Sequence, residues 1–180
     1  MLRRPAALAV LPLVLALLPL GSASASDGGQ AWKKAQAKVD YTVYRPTETA
    51  GLSRTSFKVY PTCSAGGDPL VQVEYGDQNT GRFIIIDESQ RECLDREDEQ
   101  GPAGTFTVRG AKATVTGRCI PEKGSCASAS REGVRQSANT YVTLPSSGGK
   151  RTPTFVVVGT TGLTFAEIKE VVRGLVPVTP

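Results

Sequence analysis

The residues that could do chemistry in this 180-residue chain are four cysteines, a crowded set of carboxylates and two basic loops. The chain contains no histidine. It therefore cannot build a Ser-His-Asp or Cys-His nucleophilic site, or a zinc or haem site with histidine ligands. It also lacks the GxGxxG fingerprint and the P-loop motif of nucleotide-binding proteins. These observations predict no cofactor, no metal and no conventional catalytic triad.

The chain has an even number of cysteines, which predicts two disulfides if the chain is exported. They are Cys63, Cys93, Cys119 and Cys126. Three pairings are possible. Local spacing favours Cys119–Cys126, because residues 121–124 are turn formers, and Cys63–Cys93 then follows by elimination. A zinc site with four cysteine ligands is disfavoured, since such sites usually have two close C-x(2–4)-C pairs and this chain has none.

Carboxylates crowd the segment 87–99, where a pair could cleave a glycoside or several could bind a cation. Counted from Asp95, the segment does not match a calcium-binding EF-hand loop, because the sixth position is not glycine and Phe106 stands at the twelfth. Arg91 and Arg96 lie among the acids. We therefore expect a solvated, charged loop that Cys93 fixes at one point. Its acidic residues are Asp87, Glu88, Glu92, Asp95, Glu97, Asp98 and Glu99.

Two basic loops are candidate contact sites for a partner. One holds Pro121, Glu122 and Lys123 inside the smaller predicted disulfide ring, and the other has Lys150 and Arg151 at its tip. Secreted protease inhibitors present such a braced loop with Lys or Arg at the cleavage position, since rigid presentation lowers the ordering cost of binding. Many secreted domains have similar turns with no inhibitory role, so inhibition is an alternative rather than the main hypothesis.

The first 25 residues have the order of a secretory signal peptide. Arg3 and Arg4 precede an apolar run over 5–20, and small residues lead to Ala25, where we predict cleavage. A membrane anchor is disfavoured, since a spanning helix needs ~20 apolar residues and this run is shorter and contains prolines. A lipid anchor would need a cysteine at the cleavage point. We expect a secreted protein, extracellular or cell-wall associated, with no transmembrane segment after cleavage.

The remaining chain is long enough for one domain. Residues 26–39 contain few apolar side chains and predict a flexible N-terminal tether, although Trp32 could fold back onto the domain. Residues 40–180 predict a single α+β domain. Removal of Arg3 and Arg4 lowers the formal charge from +4 to +2. This charge is too small to indicate a nucleic-acid binder.

The pattern of apolar residues predicts a curved, mostly antiparallel sheet. The segment 82–86 is apolar on both faces, which predicts that it is the buried second strand of a hairpin. Short strands without intervening helices are typical of antiparallel pairing. The predicted strands cover 41–44, 56–60, 70–75, 82–86, 105–109, 112–116, 140–144 and 154–158.

A C-terminal helix is the best-defined element. Thr164 can cap its start, Glu167 completes a capping box, and Gly174 and Pro177 supply the stop. We expect it to pack across one face of the sheet, while a role in binding a partner is the alternative. Its apolar stripe consists of Phe165, Ile168, Val171, Val172 and Leu175.

The chain resembles a bacterial domain family of unknown function in four segments that come before the C-terminal helix. These segments are 44–47, 71–76, 108–113 and 155–159. Its members occur in secreted proteins, lipoproteins and the extracellular parts of some anti-sigma factors. The cysteine-bearing version is similar to secreted proteins of actinomycetes. The resemblance implies an α+β fold with a curved antiparallel sheet and a C-terminal helix, and no catalytic residues. Such domains often carry a tryptophan after a glycine ahead of the penultimate strand, where this chain has Val134.

Together these observations favour a secreted, non-catalytic binding or envelope-associated protein, whose partner is a protein, a lipid or the cell wall. A disulfide-braced protease inhibitor and a small cell-wall hydrolase that uses two carboxylates are the alternatives. The hydrolase hypothesis requires two acidic side chains that face each other, ~5–10 Å apart. A deep apolar pocket would instead indicate carriage of a lipid or small molecule.

Overall fold

A computed structural model describes residues 25–63, 67–93, 100–119, 126–148 and 151–179. The predicted signal peptide lies, apart from Ala25, outside the described residues. The described chain is α+β, and its main feature is an open, curved antiparallel sheet with two disulfides. The predicted fold class is confirmed.

Seven strands form this sheet in the order β2-β3-β4-β8-β7-β6-β5, and each neighbouring pair is antiparallel. The predicted hairpin is β3–β4, and β4 lies inside the sheet between β3 and β8, as predicted. The strands are β2 (Arg54–Tyr60), β3 (Leu70–Asp77), β4 (Arg82–Ser89), β5 (Gln100–Val108), β6 (Ala111–Arg118), β7 (Ala138–Leu144) and β8 (Thr154–Thr161).

Two further strands form a separate ribbon. Strand β1 (Tyr44–Pro46) pairs with β9 (Leu175–Pro177) and joins the start of the domain to its end. The predicted strand 41–44 is therefore wrong in extent, because Tyr41 makes only an isolated bridge to Thr152 and pairing begins at Tyr44. Arg45-Pro46 belongs to the strand, since it pairs on an edge where a missing N–H is tolerated.

The C-terminal helix α3 (Phe165–Arg173) packs on the sheet as predicted. Its N-cap Thr164 accepts a hydrogen bond from the Glu167 amide, and the Glu167 carboxylate accepts one from the Thr164 amide, which completes the capping box. Ile168, Val171 and Val172 are fully buried in the main core. Gly174 follows the last turn of α3, and β9 begins at the next residue.

The N-terminal segment is a helix, and the predicted flexible tether over 26–39 is wrong. Helix α1 spans Ala25–Gln36, and Trp32 is buried in the core with its ring edge-on to Phe57 at 4.8 Å between centroids. The Gln36 side chain is also buried, donating to the Tyr41 carbonyl and accepting from the Val43 amide, each at 2.9 Å. The few apolar residues of this segment are enough to pack the helix against the domain, because they lie on one face of the helix. No helix among the described residues is long and apolar enough to cross a membrane.

The core lies between the sheet and the elements that cover one of its faces. We call this face the inner face; it carries Val71, Ile84, Ile86 and Val156, which pack in one cluster with residues of α1 and α3. The opposite face is called the outer face. Both disulfides have the predicted pairing, Cys63–Cys93 and Cys119–Cys126. Cys63, Cys93 and Leu70 form a second, smaller apolar cluster.

Candidate functional site

A cavity lies where two helices converge beside the edge strand β5. One helix is α3, and the other is α2 (Arg131–Gln136), a short helix that precedes β7. Ser130 caps α2 by accepting a hydrogen bond from the Gly133 amide at 3.0 Å. Val134 is buried against β6, where Gly117 leaves room for it: a Cβ at position 117 would lie 2.9 Å from a Val134 methyl.

One contact joins the start of α3 to α2, and another holds it against β5. The Gly162 amide donates to the Arg135 carbonyl at 2.6 Å, which joins the C-terminus of α2 to the turn before α3. The Phe165 ring packs edge-on to Phe106, at 6.2 Å between centroids, and over Gly104, where a Cβ would lie 3.1 Å from the ring. The start of α3 therefore stands against β5, and a space opens between it and α2.

This space is a cavity of about 690 Å³, partly open to solvent, which we call the α2–α3 groove. Its volume is in the range of cavities that hold small molecules. A β-bulge contributes to it, because Pro102 pairs with Thr116 and Gly104 with Val115, so that the extra residue Ala103 turns toward the groove. The apolar lining residues are Ala103, Ala129, Val134, Phe165 and Ala166.

Charged side chains border the groove on the α2 side. Arg131, Glu132 and Arg135 line it, and all three are exposed. The Glu132 carboxylate accepts a hydrogen bond from the Gln136 side chain at 3.4 Å, one turn along α2. The two arginines are four residues apart, so they lie on the same side of the helix. The groove thus combines an apolar floor with an excess of positive charge at its edge.

A second, smaller cavity of about 340 Å³ lies near the turn between β5 and β6. Its one charged lining residue, Arg109, is already used in the fold: Nε donates to the Leu175 carbonyl at 2.7 Å and the guanidinium lies over the Tyr44 ring. We therefore treat the α2–α3 groove as the candidate site.

The predicted basic contact loops lie largely outside the described residues. Pro121, Glu122, Lys123 and Lys150 are among the residues not described, so their role as contact sites stays a prediction. Arg151 is described, and its Nη1 donates to the carbonyls of Gln36 at 3.2 Å, Val39 at 2.9 Å and Tyr41 at 3.4 Å. This side chain fastens the end of α1 to the domain instead of projecting from a loop tip.

The acidic segment is described at its start and lies outside the described residues over 94–99. The expectation of a solvated loop is wrong for its first two acids, because Asp87 and Glu88 belong to β4 and are 4% and 1% exposed. Within the described part of the chain, no group of three or more Cys, Asp or Glu residues is arranged to hold a metal ion.

Glu88 extends from the inner face into the core. One carboxylate oxygen, Oε2, accepts a hydrogen bond from the Tyr44 amide at 2.9 Å, while Oε1 is buried without a hydrogen-bond partner. Burial raises the pKa of Glu88 well above its usual 4.5, and the Tyr44 hydrogen bond only partly offsets this. The neighbouring Tyr41 hydroxyl donates to the Glu88 carbonyl at 2.6 Å. The group is enclosed by protein and does not face a cavity named above.

Asp87 lies on the outer face, because successive strand residues point to opposite sides. Its Oδ1 accepts from Gln72 Nε2 at 2.9 Å, and burial raises the pKa of Asp87 to about 6, with a smaller contribution from Glu74. The sheet therefore separates the two buried carboxylates. They do not form the facing pair that the hydrolase hypothesis requires.

The outer face also carries two aromatic side chains near its centre. Tyr141 and Phe155 have ring centroids 6.5 Å apart and are half-buried. The sheet is crowded beside them, since Gly159 stands where a Cβ would lie 2.7 Å from an Ile85 methyl.

Helix α2 and the groove were missed by sequence reasoning. A signal for α2 was present, since Ser130 stands directly before Arg131 and Glu132 as an N-cap followed by an acidic first turn. The groove itself has no local signal, because β5, the loop before α2 and the start of α3 meet there only in the folded chain. Comparison of the chain with protein-family models, with curated proteins and with solved structures found no match.

Proposed function

We propose that this chain is a secreted, non-catalytic binding protein that holds a small, largely apolar ligand in the α2–α3 groove. The cavity between the two helices is the observation on which the proposal depends. It has the size of a ligand site, an apolar floor and a few polar groups at one edge, which is the usual composition of small-molecule pockets.

The way the groove is built supports binding rather than loose packing. Its walls are fixed by a capped α2, by the Gly162–Arg135 hydrogen bond and by the capping box of α3. A cavity whose walls are held in place before the ligand arrives avoids part of the ordering cost of binding. The apolar lining of the groove is thus available to a ligand without rearrangement of the core.

Secretion is supported by the disulfides and by the signal-peptide pattern. Disulfides persist in oxidising compartments, and the two bonds of this chain are consistent with an extracellular location. The pattern of Arg3, Arg4 and the apolar run before Ala25 is the second line of support. The proposal covers both a freely released protein and an envelope-associated one.

A fluorescent apolar probe tests the proposed site. We expect the purified protein to bind the neutral dye N-phenyl-1-naphthylamine with increased fluorescence, because the groove removes the dye from water. The variant Ala166→Phe places a ring in the groove at an exposed helix position and should lose most of this signal. The matched control Ala37→Phe adds the same ring at an exposed position after α1 and should keep it.

The thermal unfolding midpoint of both variants shows whether they remain folded. Equal dye binding by the wild type and by a folded Ala166→Phe variant would contradict the proposed site. Failure of the wild type to bind the dye at all would contradict the proposed function as a carrier of apolar ligands.

A further inference from the structure

We infer that the ligand of the α2–α3 groove is an amphiphilic carboxylate, with a linear acyl chain on the groove floor and its carboxylate at Arg131 and Arg135. This inference rests on the proposed function and adds the chemical class of the ligand. It is carried by the charge and shape of the groove.

The charge at the edge of the groove favours an anion. Arg131 and Arg135 form no ion pair with another described residue, whereas Arg82 is paired with Glu167 at 2.9 Å and Arg91 with Asp68 at 3.7 Å. The one acid that lines the groove, Glu132, leaves a net charge of one positive unit on this edge. An anionic head is therefore complementary to the edge, and a cationic head is not.

The arginines and the net charge of the edge together determine which anion fits best. A guanidinium presents its N–H donors in a planar fork that matches the oxygens of a carboxylate or a phosphate, and the single net positive charge of the edge favours the singly charged carboxylate. Residues 131 and 135 are separated by one turn of α2, so both forks can approach one head group from the same side of the helix. The outward position of both side chains leaves the head group near water, where a carboxylate keeps its charge.

The floor suits a linear chain. Three of its five apolar residues are alanines, Ala103, Ala129 and Ala166, which leave a smooth surface beside the Phe165 ring. An acyl chain buries apolar area along such a surface without a deep side pocket, and each buried methylene adds to binding. The groove is open to solvent at one side, so the chain can enter without unfolding of α2 or α3.

Displacement of the bound naphthylamine dye tests the ligand class. We expect decanoate to displace it at a concentration roughly tenfold lower than 1-decanol, because charge-assisted hydrogen bonds to the arginines add to the shared apolar contact. Decyltrimethylammonium, which has the same chain and the opposite charge, should displace the dye least. Decyl phosphate separates carboxylate recognition from a general attraction of anions. Added salt should weaken decanoate more than decanol.

The double variant Arg131→Gln, Arg135→Gln should remove the advantage of decanoate over decanol, when both displacement midpoints are measured against the variant's own dye affinity. The matched control Arg45→Gln, Lys112→Gln removes the same charge from exposed positions away from the groove and should keep the advantage. If the dye binds the groove but decanoate and decanol displace it equally, the carboxylate proposal is overturned while the binding function stands. Equal or stronger displacement by decyl phosphate overturns carboxylate selectivity. A wild type that binds no dye overturns the proposed function itself.

Discussion

Glu88 is a residue at which burial and charge conflict. Its carboxyl group lies in the core with one oxygen bonded to the Tyr44 amide and the other without a hydrogen bond. An ionised carboxylate in such a place is costly, so the folded state favours the neutral form. This is why its pKa is raised well above the ordinary 4.5.

The pH dependence of folding follows from the direction of this shift. A raised pKa means that the folded chain binds the proton more tightly than the unfolded chain, so the contribution of Glu88 to stability is full below about pH 4.5. It is lost as the pH rises from there through the raised value. Asp87 acts with the same sign, because its pKa is raised from 3.8 to about 6.

We predict that Glu88→Gln flattens the pH dependence of stability. Between pH 5 and 8 its free energy of unfolding should fall by at least about 1 kcal/mol less than that of the wild type, because glutamine has no charge to desolvate. Urea unfolding at a series of pH values measures this difference. The exposed control Glu48→Gln should leave the wild-type slope unchanged. A Glu88→Gln profile parallel to the wild type would contradict the account of this residue.

At the scale of elements, α1 is part of the domain because of a few well-placed side chains. Trp32 contributes most, since its indole is 4% exposed and packs edge-on against Phe57 of β2. Gln36 and Arg151 satisfy backbone groups around the end of the helix. The helix therefore covers one end of the inner face.

We predict that Trp32→Ala destabilises the domain by about 3–5 kcal/mol, the cost of deleting a buried aromatic side chain. The exposed control Lys34→Ala should change stability by less than about 0.5 kcal/mol. Far-ultraviolet circular dichroism during urea unfolding measures both variants. Because Trp32 is the only tryptophan, the wild-type protein should also show blue-shifted emission that moves to the red on unfolding. An exposed-type emission in the native state would contradict its burial.

Elements with a strong local pattern could be predicted from the sequence, and those that depend on distant partners could not. The alternation through Val71, Val73 and Tyr75 and the capping box of α3 are local signals, and both elements formed as predicted. Helix α1 was missed because its apolar face is small and depends on Phe57 for burial. Strand β9 was missed because three residues have no periodicity and need β1 as a partner.

The candidate site was predictable only in part, for a similar reason. Composition and the missing histidines indicated binding rather than conventional catalysis, and an apolar pocket was the feature to look for. No segment of the chain encodes the groove alone, since it depends on the bulge at Ala103, the position of α2 and the Phe165 ring. The acidic segment drew attention by composition, yet its first two carboxylates are buried on opposite faces of β4.

At the scale of the whole molecule, the two disulfides close loops of different length. Cys63–Cys93 spans 30 residues and Cys119–Cys126 spans 7. In the chain-entropy model, the longer loop contributes more because it restricts the unfolded chain more strongly. The longer bond also belongs to the apolar cluster with Leu70.

We therefore predict that Cys63→Ser, Cys93→Ser costs about 3–4 kcal/mol of stability and Cys119→Ser, Cys126→Ser about 2–3 kcal/mol. Urea unfolding of the two double variants without reductant measures both values. The wild type in reductant should unfold at a lower urea concentration than either variant. The reverse order of the two variants would contradict the role assigned to loop length and to the cluster around Leu70.

The most direct test of the binding account is amide chemical-shift mapping with the neutral naphthylamine dye. Binding in the groove predicts saturable shifts at Ala103 of β5, at Ala129 in the loop before α2 and at Ala166 of α3, which all line it. Amides at the centre of the outer face, such as those of Asp87 and Tyr141, should not move. Saturable shifts centred on the outer face, or no shifts at any described residue, would contradict the assignment of the groove as the ligand site.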